Sequence, residues 1–171
     1  VNQGIVIYFM HGNRDFLVDQ AFIEASGLRL MNETARTWLN DKTALLLHGD
    51  TLCQNDQEYL SFRKMVRSYD WKLEFLDKPL GDRLAMVDAI RAAQSPKMEA
   101  KVYEQTMITP DIISRLAKKY DVEVIIHGHF HMENVDEYEN CTRYGLGEWK
   151  NDKGSFLAVY DECFNYEVFE G

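Results

Sequence analysis

The segment VEVIIHGHFH, residues 122–131, contains the sequence pattern that predicts the fold. It joins an apolar, β-branched run to a polar loop that is rich in histidine and glycine. The same form recurs in TALLLHGD, residues 43–50, and in IVIYFMHGNRD, residues 5–15. Short apolar runs of this kind predict buried strands. Binding groups gather at the carboxyl ends of strands in open α/β sheets, so we expect the three loops to converge.

Helices and strands alternate around these runs, which predicts an α/β fold. The predicted elements are a helix over residues 16–26 ended by Gly27, strands over 28–31 and 34–39, a turn at Asn40 and Asp41, and strands over 43–47 and 122–126. The run over residues 5–9 is apolar on both faces. Such a strand belongs inside a sheet that is covered on both sides, so we expect it to be buried.

The middle of the chain, from about residue 56 to 108, has a helical pattern. The apolar side chains predicted to share one helix face are Tyr59, Phe62, Val66 and Tyr69. Breaks are predicted at Pro79–Gly81 and at Ser95–Pro96. Thr109 and Pro110 then cap a helix through Lys119. Antiparallel strands are expected around 145–147, 155–160 and 164–169. We interpret the helical block as an insertion in a single domain spanning residues 1–171.

Composition narrows the class of protein. The 171 residues fit one domain, and the net charge of −9 argues against a general nucleic-acid-binding surface. The apolar runs fall well short of the roughly 20 residues that a membrane span needs. Three widely spaced cysteines do not resemble a disulfide framework, so the cytosol is the expected compartment. They are Cys53, Cys141 and Cys163.

All five histidines lie in the three polar loops: His11, His48, His127, His129 and His131. Imidazole suits Zn²⁺, Mn²⁺ or Fe²⁺, and a neighbouring glycine lets the backbone approach an ion closely. In an extended loop the spacing of His129 and His131 would project both side chains to the same side. With Asn13 and His48, they form the candidate metal-binding set.

Structural roles compete with the functional ones. We favour a structural role for His11 and His127, each donating to a nearby carbonyl or carboxylate. Asn13 alone would suit a turn, and Cys53 is expected to be buried and inert. Arg14 either serves the site or forms a surface salt bridge to Asp15 or Asp19.

The loop residues resemble a known family. The motifs Gly12-Asn13-Arg14-Asp15, His48-Gly49-Asp50 and Gly128-His129-Phe130-His131 are similar to the last three motifs of the calcineurin-like metallophosphoesterases. Most members of that superfamily have histidine where this chain has Arg14. The arginine form, with Asp56 and Tyr59 downstream, resembles the UDP-2,3-diacylglucosamine hydrolases of lipid A synthesis in Gram-negative bacteria. The resemblance implies a layered α/β/β/α sandwich with a helical lid insertion.

The resemblance also implies a two-metal hydrolysis that yields UMP and 2,3-diacylglucosamine 1-phosphate. Asn13, His48 and His129 would hold one Mn²⁺, and His131 would contribute to a second. A hydroxide bridging the two ions would attack the α-phosphorus of the UDP group. Arg14 would neutralise charge on the phosphate oxygens. Asn13, Arg14 and His129 are thus the candidate catalytic residues, and all three would also contact the substrate.

The insertion would receive acyl chains and part of the nucleotide-sugar. The resemblance makes Asp56, Tyr59 and Lys101 substrate contacts. It places Gln94 and Met98 where the family has serine and asparagine. Four basic and aromatic residues would contact anionic lipid headgroups on the cytoplasmic face of the inner membrane: Arg63, Lys64, Arg67 and Trp71. The alternative to membrane contact is an amphipathic helix that packs within the protein and leaves its charged side chains in solvent. We expect no nucleic-acid partner, because the chain is acidic, and we infer no protein partner.

The chain also departs from the family pattern. The superfamily's first two motifs, an Asp-x-His and a Gly-Asp that supplies a bridging carboxylate, are not found upstream of residue 5. From this we expect the N-terminal strands to be missing and the 171 residues to be incomplete as an enzyme. Two alternatives stay open: another metal-dependent phosphodiesterase or phosphatase of the superfamily, and a non-catalytic fragment that binds metal.

Overall fold

The computed structural model describes the backbone of residues 3–101, 108–161 and 163–171, and the side chains of these residues apart from 93–101. It divides into two compact units, residues 1–50 with 108–171, and residues 51–107. In chain order the elements are β1 (Tyr8–Phe9), α1 (Gln20–Ser26), β2 (Arg29–Leu30), β3 (Thr34–Leu39), β4 (Lys42–Leu47), a 3₁₀ turn (Asp50–Leu52), α2 (Gln57–Val66), α3 (Tyr69–Asp77), α4 (Leu80–Lys101), α5 (Pro110–Tyr120), β5 (Val124–His127), β6 (Asn134–Tyr138), β7 (Cys141–Gly145), β8 (Lys153–Tyr160) and β9 (Cys163–Glu170).

A mixed five-stranded sheet forms the centre of the first unit, which confirms the α/β prediction. The strand order is β3-β4-β5-β7-β6, with β4, β5 and β7 parallel and the outer two strands antiparallel to their neighbours. Leu47 pairs with His127 at the carboxyl ends of β4 and β5. The loops that follow these two strands therefore leave the sheet from the same edge.

Each face of the sheet buries apolar side chains. On one face, Ala44, Val124 and Ile126 form a cluster that the β8–β9 hairpin contacts through Leu157 and Phe164. Helix α5 packs against β5 and β7 and contributes three buried side chains: Ile112, Ile113 and Ala117. The unit is thus layered as hairpin, sheet and helix, and the loops that contain His48 and His129 follow two strands of its central sheet.

Local signals explain where several elements begin and end. Asn40 adopts a positive φ of 53° in the turn between β3 and β4, as asparagine tolerates. Gly27 ends α1 in the left-handed conformation, with φ 71°. That helix starts at Gln20 and not at residue 16, because the Asp19 side chain caps it by accepting from the Phe22 N–H.

The expectation of a buried strand over residues 5–9 was wrong. Only Tyr8 and Phe9 are in a strand, and β1 pairs with β2 in a two-stranded parallel sheet. Ile5 is 60% exposed and Val6 51% exposed. An apolar run is buried only where other elements cover its faces, and two paired strands leave both faces open.

The second unit contains α2, α3 and α4. The predicted break at Pro79 separates α3 from α4, but the expected break at Ser95–Pro96 was wrong, since α4 continues to Lys101. The 22-residue helix includes Pro96, so the loss of one backbone donor does not end it. The prediction for Tyr69 was also wrong: it begins α3, because Ser68 caps that helix, and it is exposed. Among the described residues, no helix combines the length and apolar character needed to cross a membrane.

The sheet includes a hairpin that the sequence patterns did not indicate. Strands β6 and β7 pair around a tight turn, and the strand expected at 145–147 instead ends at Gly145. Polar and apolar residues are mixed along β6, so its signal was weak.

Candidate functional site

The sheet brings together loops that are far apart in sequence. His48 follows β4, and His129 follows β5 by two residues. The Gly128 N–H donates to the His48 carbonyl at 2.9 Å, which ties one loop to the other. Because β4 and β5 are neighbouring parallel strands, the loops that follow them lie side by side at the same edge of the sheet.

Three of the candidate metal-binding residues meet at this edge. The Asn13 Oδ1 atom lies 3.2 Å from the His48 Nε2 atom. The rings of His48 and His129 have centroids 5.2 Å apart, at an interplanar angle of 71°. Gly12 leaves room for the first contact, since a Cβ at this position would lie 2.9 Å from the His48 Cε1 atom.

The backbone of this edge is unusual. Gly49 has a φ of 115°, and a Cβ there would lie 2.8 Å from the Gly128 carbonyl oxygen. His129 and His131 also have positive φ values, 72° and 55°. The expectation of an extended loop was therefore wrong, although both side chains line the same cavity. Left-handed backbone at residues other than glycine is costly and is concentrated at functional sites.

Burial keeps His129 neutral. Its pKa is lowered to about 4, chiefly because burial disfavours the charged ring and secondarily because it faces His48. A nearby carboxylate, Asp50, acts in the opposite direction. At neutral pH the imidazole thus keeps a lone pair, which is the form that binds a metal ion.

A cavity of about 530 Å³ opens beside the three loops. Its lining includes two of the candidate residues that are exposed, Arg14 and His131. The Nδ1 atom of His131 lies 3.4 Å from the Glu148 Oε1 atom. The remaining lining residues are His48, Gly128, His129, Leu146, Gly147, Trp149, Ser155 and Phe156.

The two carboxylates suggested as partners of Arg14 have backbone partners. Asp15 accepts from the Gly12 N–H, and Asp19 caps α1. Within the described part of the chain, Arg14 forms no ion pair within 4.0 Å. The guanidinium is therefore placed at the cavity and not in the surface salt bridge considered from the sequence.

His11 and His127 have the carbonyl partners expected of structural histidines. The His11 Nε2 atom lies 2.8 Å from the Val18 oxygen, and the His127 Nδ1 atom lies 2.9 Å from the Gly128 oxygen. His127 is 1% exposed, and its pKa is lowered to about 4, mainly by burial. Its Nε2 atom lies 3.1 Å from Arg143 Nη1.

The candidate substrate contacts of the insertion lie in the second unit. Asp56 caps α2 by accepting from the Tyr59 N–H at 3.1 Å. Tyr59 is half-buried in the first turn of that helix. Lys101, Gln94 and Met98 lie outside the described side chains. Cys53 is buried, 4% exposed, as expected.

The residues present offer one divalent cation a suitable donor set. An amide oxygen from Asn13 and two imidazoles from His48 and His129 are ligands that Mn²⁺, Fe²⁺ or Zn²⁺ accept. Among the side chains described, no three from histidine, cysteine, aspartate or glutamate are grouped closely enough to hold an ion by themselves. Asn13 would supply the third ligand of this set beside the two imidazoles.

Several cavity residues were missed from the sequence, chiefly Glu148, Trp149 and Phe156. The Trp149 indole donates to the Ser155 carbonyl at 2.8 Å and stacks on Phe169, with centroids 5.4 Å apart. In the sequence these residues are marked only by a tryptophan that follows the segment Gly145-Leu146-Gly147. A single tryptophan of this kind often has no function.

Comparison with known proteins gives the relatives of the chain. It is 35% identical over 164 residues to the UDP-2,3-diacylglucosamine hydrolase of Chromohalobacter salexigens, covering 94% of this chain and 67% of that protein. It is 38% identical over 158 residues to the enzyme of the same name from Haemophilus influenzae, covering 92% and 67%. The one from Ectopseudomonas mendocina is 35% identical, with 99% and 71% covered.

Other comparisons add little. No family model matches the chain. A solved archaeal phosphodiesterase aligns with a TM-score of 0.48 at 10% identity, covering 97% of this chain and 70% of that one. A likeness at that level says nothing about function. The sequence relatives are decisive, since they are 35–38% identical and extend over 92–99% of the chain: the chain belongs to the UDP-2,3-diacylglucosamine hydrolase family.

Proposed function

We propose that the protein hydrolyses the pyrophosphate bond of UDP-2,3-diacylglucosamine, giving UMP and 2,3-diacylglucosamine 1-phosphate. The name shared by its relatives supports this substrate. The observation that carries the proposal is the meeting of Asn13, His48 and His129 at one edge of the sheet. Three loops converge beside a cavity that also contains an arginine, as a phosphate-ester site requires.

We infer that Asn13, His48 and His129 hold a divalent ion, with His131 contributing to a second, and that both ions are Mn²⁺. Such ions supply Lewis-acid charge stabilisation and a water molecule of lowered pKa. Burial serves this role by keeping His129 deprotonated at neutral pH. The Asn13 amide remains uncharged at every pH, so its donation does not depend on a proton.

Arg14 is proposed to bind the oxygens of the substrate phosphates. Its planar guanidinium presents paired donors that match phosphate oxygens. It lies on the cavity wall with His129 and His131, so charge that builds on the phosphate would face a fixed cation.

The insertion is proposed to receive the acyl chains and to contact the membrane surface. The second unit exposes large apolar side chains: Met65, Tyr69, Leu73, Leu76, Leu80 and Leu84. The last turn of α2 carries Arg63 and Lys64, which would favour anionic lipid headgroups. Asp56, Tyr59 and Lys101 would contact the nucleotide-sugar. We propose a cytoplasmic location, peripheral on the inner membrane of a Gram-negative bacterium.

Release of UMP tests the proposal. The natural gene product, its intact mass measured first, is incubated with Mn²⁺ and UDP-2,3-diacylglucosamine, and UMP is quantified by chromatography. We expect UMP release that exceeds the hydrolysis of bis(p-nitrophenyl) phosphate by several orders of magnitude. Equal turnover of the two compounds would favour a general phosphodiesterase of the superfamily. Tight Mn²⁺ binding with no turnover of either would favour the non-catalytic alternative.

A further inference from the structure

Two charged residues face each other across β6 and β7. Asp136 and Arg143 are direct partners in the strand register. The Arg143 Nε atom donates to Asp136 Oδ2 at 3.0 Å, and its Nη2 atom contacts the same oxygen. Arg143 is only 8% exposed, so the pair is shielded from water on the arginine side. The Asp136 side chain is 42% exposed, so it is mainly the arginine that is removed from water.

The pair contacts both ends of the loop that carries His129 and His131. At the start of the loop, Arg143 Nη1 lies 3.1 Å from the His127 Nε2 atom. At its end, the Asn134 side-chain amide donates to Asp136 Oδ2 at 2.7 Å. Residues 128–133, which we call the histidine loop, are thus held at each side by one ion pair.

The arginine also fixes the proton on His127. A guanidinium has donors and no acceptor, so the His127 Nε2 atom must accept from it. The proton then sits on Nδ1, which donates to the Gly128 carbonyl at 2.9 Å. That oxygen also accepts from the Phe130 N–H, while the Gly128 N–H donates to the His48 carbonyl. The chain of hydrogen bonds therefore runs from Arg143 to the middle of the histidine loop.

The loop needs such support. His129 and His131 both have left-handed backbone, which is unfavourable for residues other than glycine. Conformations of this kind persist only where the surroundings hold them in place.

We propose that Arg143 and Asp136 are positioning residues that fix the histidine loop and so set the placement of His129 and His131. The link to metal binding rests on the proposed function, whereas the effect on the loop does not. Lysine cannot replace the arginine, because one ammonium lacks the planar fork that reaches Asp136 and His127 together.

Amide hydrogen exchange measured by NMR tests the loop directly. The variants are Arg143→Lys and Asp136→Asn, and the matched control is Arg36→Lys, an arginine that donates to the Tyr120 and Asp121 carbonyls away from the loop. We expect the Gly128 and Phe130 amides to exchange at least ten times faster in both variants. The amides of Leu45 and Ile125 and all amides in the control should keep their native rates.

Titration with Mn²⁺ supplies the second readout. We expect the Kd for Mn²⁺ to rise by about 10–100-fold in Arg143→Lys and to stay unchanged in Arg36→Lys. If the wild-type protein binds no Mn²⁺, the proposed function fails while hydrogen exchange still decides the positioning role. Native exchange rates at Gly128 and Phe130 in Asp136→Asn would overturn the inference. This variant is informative even if Arg143→Lys does not fold, since the Asp136 side chain is 42% exposed and its replacement leaves no buried cavity.

Discussion

The Nε2 atom of His48 lies 3.2 Å from the Oδ1 atom of Asn13, although the two residues are 35 positions apart in the chain. Gly12 makes this contact possible, because a methyl group there would lie 2.9–3.2 Å from three atoms of the His48 ring. Gly12 does not have a positive φ, so a glycine is needed here because it has no side chain and not because its backbone is flexible.

Replacing Gly12 by alanine should displace the His48 ring. We expect a loss of about 1–3 kcal/mol in the free energy of unfolding and at least a tenfold rise in the Kd for Mn²⁺. Gly81→Ala is the matched control: it lies in α4, a Cβ there meets nothing within 4 Å, and it should be neutral or slightly stabilising. Urea unfolding and calorimetric titration measure the two effects. Equal behaviour of the two variants would contradict the steric explanation.

Acid should destabilise the first unit through His127. Its pKa is lowered to about 4 in the folded state and is 6.5 without the fold. The unfolded chain therefore binds a proton as the pH falls below 6.5, whereas the folded chain resists until about pH 4. The full stability is present above pH 6.5, and roughly 2 kcal/mol should be lost between pH 7 and pH 5.

The variant His127→Gln isolates this contribution. It removes the titrating group, so its stability should depend less on pH over the same range, as measured by urea unfolding at pH 7, 6 and 5. An identical slope in the wild type and the variant would show that His127 does not titrate as its burial requires.

Asp56 can be tested for substrate contact apart from its structural role. Its side chain caps α2, so Asp56→Ala should cost about 1 kcal/mol in stability. Asp56→Asn keeps a capping oxygen while it removes the charge. If Asp56 also contacts substrate, Asp56→Asn should raise the KM for UDP-2,3-diacylglucosamine with little change in melting temperature. An unchanged KM would show that Asp56 does not contact the substrate.

Arg14 should affect catalysis and not stability. We expect Arg14→Ala to lower kcat/KM by on the order of 100-fold, because a cation at the cavity wall would be lost. Arg115→Ala is the matched control, since Arg115 is an exposed arginine on α5 that pairs with Asp111 at 3.0 Å. Steady-state kinetics with both variants decide the matter. A similar small effect of each would place Arg14 outside the site.

The sequence predicted the parts of the fold that depend on local patterns. The strands before His48 and His129 are continuous apolar runs, and their burial follows from that alone. The convergence of His48 and His129 was also predictable, because strand ends collect at one edge of an α/β sheet. The position of Asn13 does not follow from that rule, since β1 pairs with β2 outside the five-stranded sheet.

Other features depend on partners that a local pattern does not specify. Residues 5–9 are as apolar as β4, yet the first four of them are exposed, because only β2 pairs with this segment. The Asp136–Arg143 pair spans two strands with mixed polar residues and became visible only once their register was known. The left-handed backbone of His129 and His131 could not be predicted from the sequence, since only a few per cent of residues other than glycine adopt it.

The proposed function depends on the joint binding of one metal ion by Asn13, His48 and His129. A crystal soaked with Mn²⁺ and measured near the manganese absorption edge would locate the ion. We expect an anomalous difference peak within bonding distance of all three side chains, and loss of that peak in His129→Ala. A peak elsewhere on the chain, or no peak beside His48 and His129 at saturating Mn²⁺, would contradict this expectation.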